Sequence, residues 1–189
     1  MFSSKVLSSM QRIPDLDAPC GRRLKYRNLI ECGNTWAERA AGGSPIDNVP
    51  RQAATYAALC ALCENVLDPL ADALGSPVLT YGFASPALTA LIGKRIAPRL
   101  DQHASCEVRR DGSLICSRGG ASVDLVVPGR TATEVARWLA THTKFDRIYL
   151  YGDGRPLHIS HGPETSRLVY EMVSSASGRP IPRRIRLGS

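Results

Sequence analysis

Four segments between residues 102 and 160 are the most informative about the fold: Gln102-His103, Gly120-Ala121-Ser122-Val123-Asp124-Leu125-Val126-Val127, Phe145-Asp146-Arg147-Ile148-Tyr149-Leu150-Tyr151 and Leu157-His158-Ile159-Ser160. The last three segments are short and rich in apolar residues, as is typical of strands. In residues 121–127 the odd-numbered side chains are apolar, while Asp124 faces the other way. In residues 157–160 His158 alternates with apolar neighbours in the same manner. The pattern predicts a sheet with one apolar and one polar face.

Asp124 and His158 each point away from the apolar face of a strand. Such a group needs a partner, because a buried carboxylate or imidazole left unpaired is costly. A metal ion held together with His103, a hydrogen bond between the two groups, or exposure on a solvated face would each satisfy this need. Two imidazoles and a carboxylate with one open position are the ligand set of a catalytic zinc, so the first interpretation predicts Zn²⁺ at His103, Asp124 and His158. A closed, structural zinc held by His103, Cys106 and Cys116 is the alternative.

Length and composition fit one domain. The chain has 189 residues, and 43% of them are hydrophobic, which is enough for a sizeable core. Residues 1–24 are broken by proline, aspartate and glycine and predict a flexible arm. Residues 25–173 form the predicted metal-binding domain, and residues 174–189 a basic tail.

The charge and the absence of apolar runs limit the classes of partner. The net charge is +7, and part of it lies in the tail. Nucleic-acid binding requires basic residues interleaved with stacking aromatics, which the tail lacks, so no nucleic acid is expected. No run is long enough to span a membrane, and the start has no secretory signal. We therefore expect a cytoplasmic protein without a membrane partner, with phage-associated or other non-classical export as the alternative.

The six cysteines are expected to be reduced in such a compartment. Cys60 and Cys63 form the C-x-x-C pattern of redox and zinc sites. They lie, however, within an apolar helical stripe that runs from Tyr56 to Leu74. Cysteine in that setting packs as a small hydrophobe, so we interpret the pair as part of the core.

The first half of the chain is predicted to be helical and the second half mostly β. The apolar stripe is the strongest helix signal, with Asn48 as its N-cap and a kink at Pro69. A β-hairpin turns at Asp111-Gly112, and a last helix opens at Pro163. Together these elements predict an α+β fold with a mainly antiparallel sheet flanked by helices.

Between about Asn28 and His161 the chain resembles the zinc D-Ala-D-Ala carboxypeptidases and related peptidoglycan endopeptidases, whose fold is shared with the hedgehog signalling domain. The resemblance is carried by Pro45-Ile46-Asp47-Asn48-Val49-Pro50, Leu67-Asp68-Pro69-Leu70, Tyr81-Gly82-Phe83-Ala84-Ser85-Pro86-Ala87-Leu88, Gln102-His103, Gly120-x-x-x-Asp124, Phe145-Asp146 and Leu157-His158-Ile159-Ser160. It implies a hedgehog/DD-peptidase-like fold and zinc held at His103, Asp124 and His158. It further implies hydrolysis of a peptide bond beside a D-amino acid, with a peptidoglycan-derived peptide as substrate.

Three departures from the family pattern bear on the site. The family motif His-x-x-Gly-x-Ala-x-Asp, counted back from Asp124, places its histidine on Ser117. We infer that the hairpin is an insertion that returns the chain close to His103. Ala84 stands where the family often has a substrate-binding arginine, and Arg155 stands at the usual spacing of the catalytic acid.

Other residues are therefore predicted to take these roles. Asp153, the carboxylate nearest to the last ligand, is the predicted general base. Glu164, shortly after His158, is a second carboxylate. Basic side chains that flank His103 are candidates for an anionic group of the substrate: Lys94, Arg95 and Arg99. Of these we assign Arg99 to substrate binding, together with Ser160 and His161.

Three functions follow as hypotheses. The first is a zinc-dependent, peptidase-like hydrolase. The second is a catalytically inactive binding module on the same fold. The third is a hydrolase on an intracellular substrate other than the cell wall, which the lack of a secretory signal favours.

Overall fold

The computed structural model describes residues 13–92 and 98–187. Its helices are α1 (Tyr26–Ile30), α2 (Asn34–Ala41), α3 (Ala53–Leu62), α4 (Asp68–Leu74), α5 (Pro86–Leu91) and α6 (Ala132–His142). Its strands are β1 (Val78–Tyr81), β2 (Ala121–Val126), β3 (Arg147–Leu150), β4 (Leu157–His161), β5 (Leu168–Ser174) and β6 (Pro180–Ile185). The fold is α+β, as predicted. In the described part of the chain no helix is long and apolar enough to cross a membrane.

The six strands form one sheet in the order β1-β2-β4-β3-β5-β6. The prediction of a mainly antiparallel sheet needs correction, because β5 pairs parallel to β3 and the sheet is mixed. The cause lies in strand β4, which already has a neighbour on each side. The chain reverses after β4 and passes over β3 to reach its free edge. A strand antiparallel to β4 is then necessarily parallel to β3.

The helix predicted from Pro163 is wrong. Residues 168–174 form β5, and part of the predicted tail forms β6, which pairs antiparallel with β5. Leucine and methionine at 168 and 172 satisfy helical spacing, but the segment also holds Val169, Tyr170 and Val173, which favour strands. Pairing with β3 selects the strand over the helix. The expected boundary between the domain and the basic tail, at residue 174, therefore falls inside the hairpin of β5 and β6.

The long apolar helix is confirmed, with a different start. α3 continues through a π-helical turn, Cys63–Leu67, into α4, which restarts with Pro69 in its first turn. The expected N-cap is wrong, because Gln52 occupies that position. Asn48 is instead buried, and its side-chain amide donates to the carbonyls of Ile30 and Phe83.

The core lies between this helical layer and one face of the sheet. Leu59, Leu62 and Val66 from the helices are fully buried together with residues of the strands such as Val123 and Leu125. The predicted alternation in β2 is thereby confirmed, since its apolar side faces the helices. The opposite face of the sheet is left for polar and aromatic side chains.

The predicted N-terminal arm is only partly described, since residues 1–12 lie outside the described range. Within the remainder, Cys20 is fully buried and Leu16, Ala18 and Leu24 pack against the core. A bridge between Pro19 and Lys25 closes this turn. The described part of the arm is thus attached to the domain, because its few apolar residues are covered by the helical layer.

Candidate metal centre

Strands β2 and β4 bring two of the predicted ligands together. Asp124 and His158 are directly opposite in the antiparallel pair, so their side chains emerge on the same face as neighbours. Their carboxylate and imidazole meet on the face turned away from the helical layer. The strand register therefore accounts for two ligands without any contribution from a loop.

The third predicted ligand arrives from a short 3-10 turn, Gln102–Ala104. Asp101 caps this turn, with its Oδ1 accepting from the backbone N–H of His103 at 3.1 Å. The carbonyl of His103 accepts from the backbone N–H of Ala84 at 2.9 Å. These contacts hold the histidine backbone at both ends, and its side chain is 5% exposed.

The three ligand atoms converge on one point. His103 Nε2 lies 3.1 Å from His158 Nδ1, His158 Nδ1 lies 2.9 Å from Asp124 Oδ1, and His103 Nε2 lies 3.3 Å from Asp124 Oδ1. A tetrahedral zinc with ligands at about 2.0–2.1 Å requires its ligand atoms to be roughly 3.3 Å apart. The residues present therefore fit a small divalent cation. Among the described residues, His103, Asp124 and His158 are the one group of three potential ligands whose ligand atoms lie within 4.8 Å of one another.

A backbone carbonyl sets the orientation of the first imidazole. His103 Nδ1 lies 2.8 Å from the carbonyl oxygen of Gly82, so Nδ1 carries the proton and Nε2 presents its lone pair to the centre. A side chain at position 82 would have no space, because a Cβ built there would meet the carbonyl oxygen of Leu29 at 2.1 Å. Glycine thus permits the close approach that aligns this ligand.

Charges within the cluster favour an ionised carboxylate. Burial opposes ionisation of Asp124, but the charges and hydrogen bonds of His103 and His158 outweigh it and hold the pKa of the carboxyl well below its usual range. For His103, burial opposes protonation, yet the nearby Asp124 charge raises the pKa of the imidazole above its ordinary value. A carboxylate that stays ionised near neutral pH is the form that binds a cation.

The centre opens into a cavity of about 1090 Å³. All three ligands line it, and so do the rings of Tyr81, Tyr149, Tyr151 and Tyr170. Tyr149 approaches the ring of His158 edge-on, with ring centroids 5.4 Å apart. The cluster thus has a buried side, where its ligands are anchored, and an accessible side that can receive a molecule.

The predicted base lies elsewhere. The carboxylate of Asp153 is exposed, and its Oδ1 accepts from the backbone N–H of Thr133 at 3.0 Å, in the first turn of α6. Hydrogen bonding to Thr133 lowers the pKa of this carboxyl. Asp153 is absent from the cavity lining, whereas Asp101 is part of it.

The predicted substrate-binding residues also lie outside the lining. Arg99 is exposed, and its carbonyl accepts from the N–H of Ser117, the position of the family histidine. Ser160 is fully buried and bonds the backbone of Arg147 through its hydroxyl. His161 is half-buried, and burial lowers the pKa of its imidazole. Lys94 and Arg95 lie outside the described residues.

The alternative zinc site is not assembled in the described part of the chain. His103 is joined there by Asp124 and His158. Cys106 and Cys116 are free thiols, and burial raises the pKa of Cys116. The predicted hairpin is short, because its two arms are joined by a single antiparallel β-bridge, between Val108 and Leu114.

Several lining residues were missed in the sequence. Arg118 and Arg155 both line the cavity, and no sequence pattern assigned either of them to the site. Tyr149 and Tyr151 alternate with buried Ile148 and Leu150, a period-two signal that places both tyrosines on the site face. Tyr170 could not be assigned to this face, because its segment was predicted to be a helix.

Comparisons with protein families, with curated proteins and with solved structures found no match to this chain.

Proposed function

We propose that this protein is a zinc-dependent hydrolase that cleaves a peptide bond. The observation that carries the proposal is the convergence of two imidazole nitrogens and one carboxylate oxygen, 2.9–3.3 Å apart, at the wall of a large cavity. Structural zinc sites take four protein ligands, whereas hydrolytic sites take three and leave one position for water or substrate.

A zinc ion bound there would polarise a substrate carbonyl and acidify water. The surrounding residues orient the ligands and shield them from solvent. Gly82 holds the imidazole of His103 in the tautomer that offers Nε2 to the cation. Tyr81 and Tyr149 pack against the two imidazole rings and limit the access of bulk water to them. In hydrolysis one water adds across the C–N bond, and the amine leaves with a proton.

A carboxylate must accept a proton from the attacking water and return it to the leaving amine. The cavity lining favours Asp101 over Asp153 for this role. Asp101 lies two residues before a ligand and faces the same cavity, while the described contacts of Asp153 are with the first turn of α6. Arg118 and Arg155 line the cavity as well and supply positive charge for an anionic group of the substrate.

The resemblance to the zinc D-Ala-D-Ala carboxypeptidases supports a peptide substrate. It makes peptidoglycan-derived peptides, with their D-amino acids, the first substrates to test. A peptide from inside the cell would use the same chemistry. The two substrate classes are separated by comparing otherwise identical peptides with D- or L-alanine at the cleaved bond.

A binding module without catalysis is the second candidate. The favouring observation is Ala84, which is buried and occupies the place of the family arginine. Loss of an arginine that stabilises charge in the transition state removes much of the rate while leaving substrate binding possible. Zinc and peptide binding without turnover would support this alternative.

Metal content and peptide hydrolysis test the proposal together. Replacing a ligand in His158→Ala should weaken zinc binding by more than the roughly 10–100-fold loss typical of outer-shell changes. Asp101→Asn should retain zinc and lose hydrolysis by about 10²–10⁴-fold, the usual contribution of a general base. Asp153→Asn is the matched control and should keep both properties. Wild-type zinc stoichiometry in His158→Ala would refute the ligand assignment.

A further inference from the structure

A row of six side chains crosses the whole sheet on the face of the metal centre. Each residue lies directly opposite the next in the strand register, so all emerge on one face. From one edge to the other the row reads Tyr81, Asp124, His158, Tyr149, Tyr170 and Arg184. Two of the candidate metal ligands lie in the first half of the row, beside Tyr81, and the second half is aromatic and then cationic.

The aromatic part forms a platform beside the centre. The rings of Tyr149 and Tyr170 stack in parallel, with centroids 5.0 Å apart and planes inclined by 16°. Both rings line the cavity and are partly accessible. Met172 and Pro182, opposite each other on the last two strands, extend this wall with apolar surface. A ring or an aliphatic side chain of a ligand is the natural complement.

The far end of the row carries an exposed arginine. Arg184 follows Tyr170 on the last strand, and within the described residues no carboxylate pairs with it. Its neighbour Arg183 points to the other face, where it pairs with Glu171. Two adjacent arginines thus differ in surroundings: Arg183 is neutralised, while Arg184 emerges on the face of the sheet that holds the cavity, just beyond the residues that line it.

The spacing defines the length of a ligand. Neighbouring strands lie about 4.8 Å apart, so the three strand steps from His158 to Arg184 span roughly 14 Å. An extended peptide advances about 3.3 Å per residue, so this span corresponds to about four residues. The row is therefore longer than a substrate of one or two residues needs.

We propose that this row is a binding track for an extended acidic peptide. The peptide bond to be cleaved lies at the metal centre, an apolar or aromatic side chain packs on the Tyr149–Tyr170 platform, and a carboxylate about four residues away pairs with Arg184. The inference rests on the proposed function for the position of the cleaved bond, while the track itself is tested by binding alone.

A single-stranded nucleic acid would also use aromatic platforms and cations, but the charges favour a peptide. Backbone phosphates need a series of cations along the strand. Between His158 and Arg184 the row is aromatic and carries no other cation, and the two arginines of the cavity lining, Arg118 and Arg155, lie outside the row. Asp101 also lines the cavity, which disfavours a chain of phosphates entering there.

Calorimetric titration with unlabelled capped hexapeptides tests the track in the zinc-loaded full chain. The peptides share one phenylalanine and differ in a single residue two positions further along, which is Glu, Gln or Lys, and each is also made in reversed order. We expect the Glu peptide to bind about tenfold more tightly than the Lys peptide, as for one charge-assisted contact. Arg184→Ala should abolish this preference, and Arg183→Ala should preserve it.

The platform has its own matched pair of variants. Tyr170→Ala should weaken all peptides to a similar extent, and Tyr170→Phe, which keeps the ring, should bind them like the wild type. Equal losses in both arginine variants would overturn the track, as would undetectable peptide binding by the wild type. Tighter binding of a thymidine hexanucleotide than of the Glu peptide would overturn the choice of a peptide. Binding without hydrolysis would preserve the track and refute the proposed function.

Discussion

The two faces of strand β2 have different surroundings and different roles. On the helix-covered face, Val123 and Leu125 are fully buried among apolar side chains and contribute to stability. On the other face, Ser122 and Asp124 alternate with them, and Asp124 lies with two imidazoles at the cavity. In one strand, therefore, the odd-numbered side chains build the core, while Asp124 on the opposite face contributes to the candidate metal centre.

The largest expected effect comes from the apolar face. Leu125→Ala should destabilise the protein by about 2–5 kcal/mol, because it removes buried methyl groups and leaves a cavity. Asp124→Asn, one residue away, should cost less in the metal-free protein, because asparagine keeps the size of the side chain and its ability to hydrogen-bond to His158. Urea unfolding of both variants in EDTA measures this contrast. Equal losses would mean that the two faces do not divide their roles as described.

Zinc binding should stabilise variants of the apolar face but not variants of the metal centre. A cation that binds only the native state stabilises it, by about 2.7 kcal/mol at a free concentration of 100 times Kd. Thermal unfolding with and without zinc should show a higher Tm for the wild type and for Leu125→Ala. His158→Ala should gain nothing, and a zinc-dependent rise of its Tm would place the cation elsewhere.

The pH dependence of the metal-free protein reports on the same cluster. The pKa of Asp124 is lowered from 3.8, so its contribution to stability is present above that pH and is lost as the pH falls. The pKa of His103 is raised from 6.5, so its contribution is present below that pH and is lost as the pH rises. The cluster should therefore stabilise the fold most between these two values.

Urea unfolding in EDTA across roughly pH 2–8 checks both sides of this profile. Asp124→Asn is the control, because it removes the charge that raises the pKa of His103. The variant should lose the decline in stability above pH 6.5 that is due to this cluster. An unchanged profile would show that other groups govern the dependence.

The smallest effect is expected at the carboxylate that lies outside the cavity. Asp153→Ala removes a hydrogen bond to the first turn of α6 and should cost about 0.5–1 kcal/mol of stability, as for a modest helix cap. Zinc affinity, measured by competition with a chromophoric chelator, should not change. A large loss of zinc affinity would restore Asp153 to the site, against its described contacts.

Local patterns in the sequence predicted the parts of the molecule that depend on short-range physics. The apolar helix and the interruption at Pro69 follow from side-chain spacing and from the conformation of proline. The alternation in β2 and β4 predicted which residues face away from the core. Asp124 and His158 were therefore recognised as candidate ligands from the strands, and His103 was added to them although the family spacing pointed to Ser117.

Other features depend on long-range pairing, which local patterns do not encode. The segment that contains Tyr170 satisfies both helical and strand periodicities, and the free edge of β3 decides between them. The assignments of Asp153, Arg99, Ser160 and His161 relied on distance along the chain. The contacts of those side chains and the shape of the cavity depend instead on how loops fold over the sheet.

Local sequence patterns are sufficient to predict helices, strands with one polar face, and three residues suited to a cation. These properties arise from the period of each element and from the cost of burying an unpaired charge. Only the tertiary structure decided that the three ligand atoms meet, that the sheet is mixed, and that tyrosines and an arginine continue the row from the centre. Those outcomes are set by strand register, since a shift of one residue would turn every side chain of a strand to the other face.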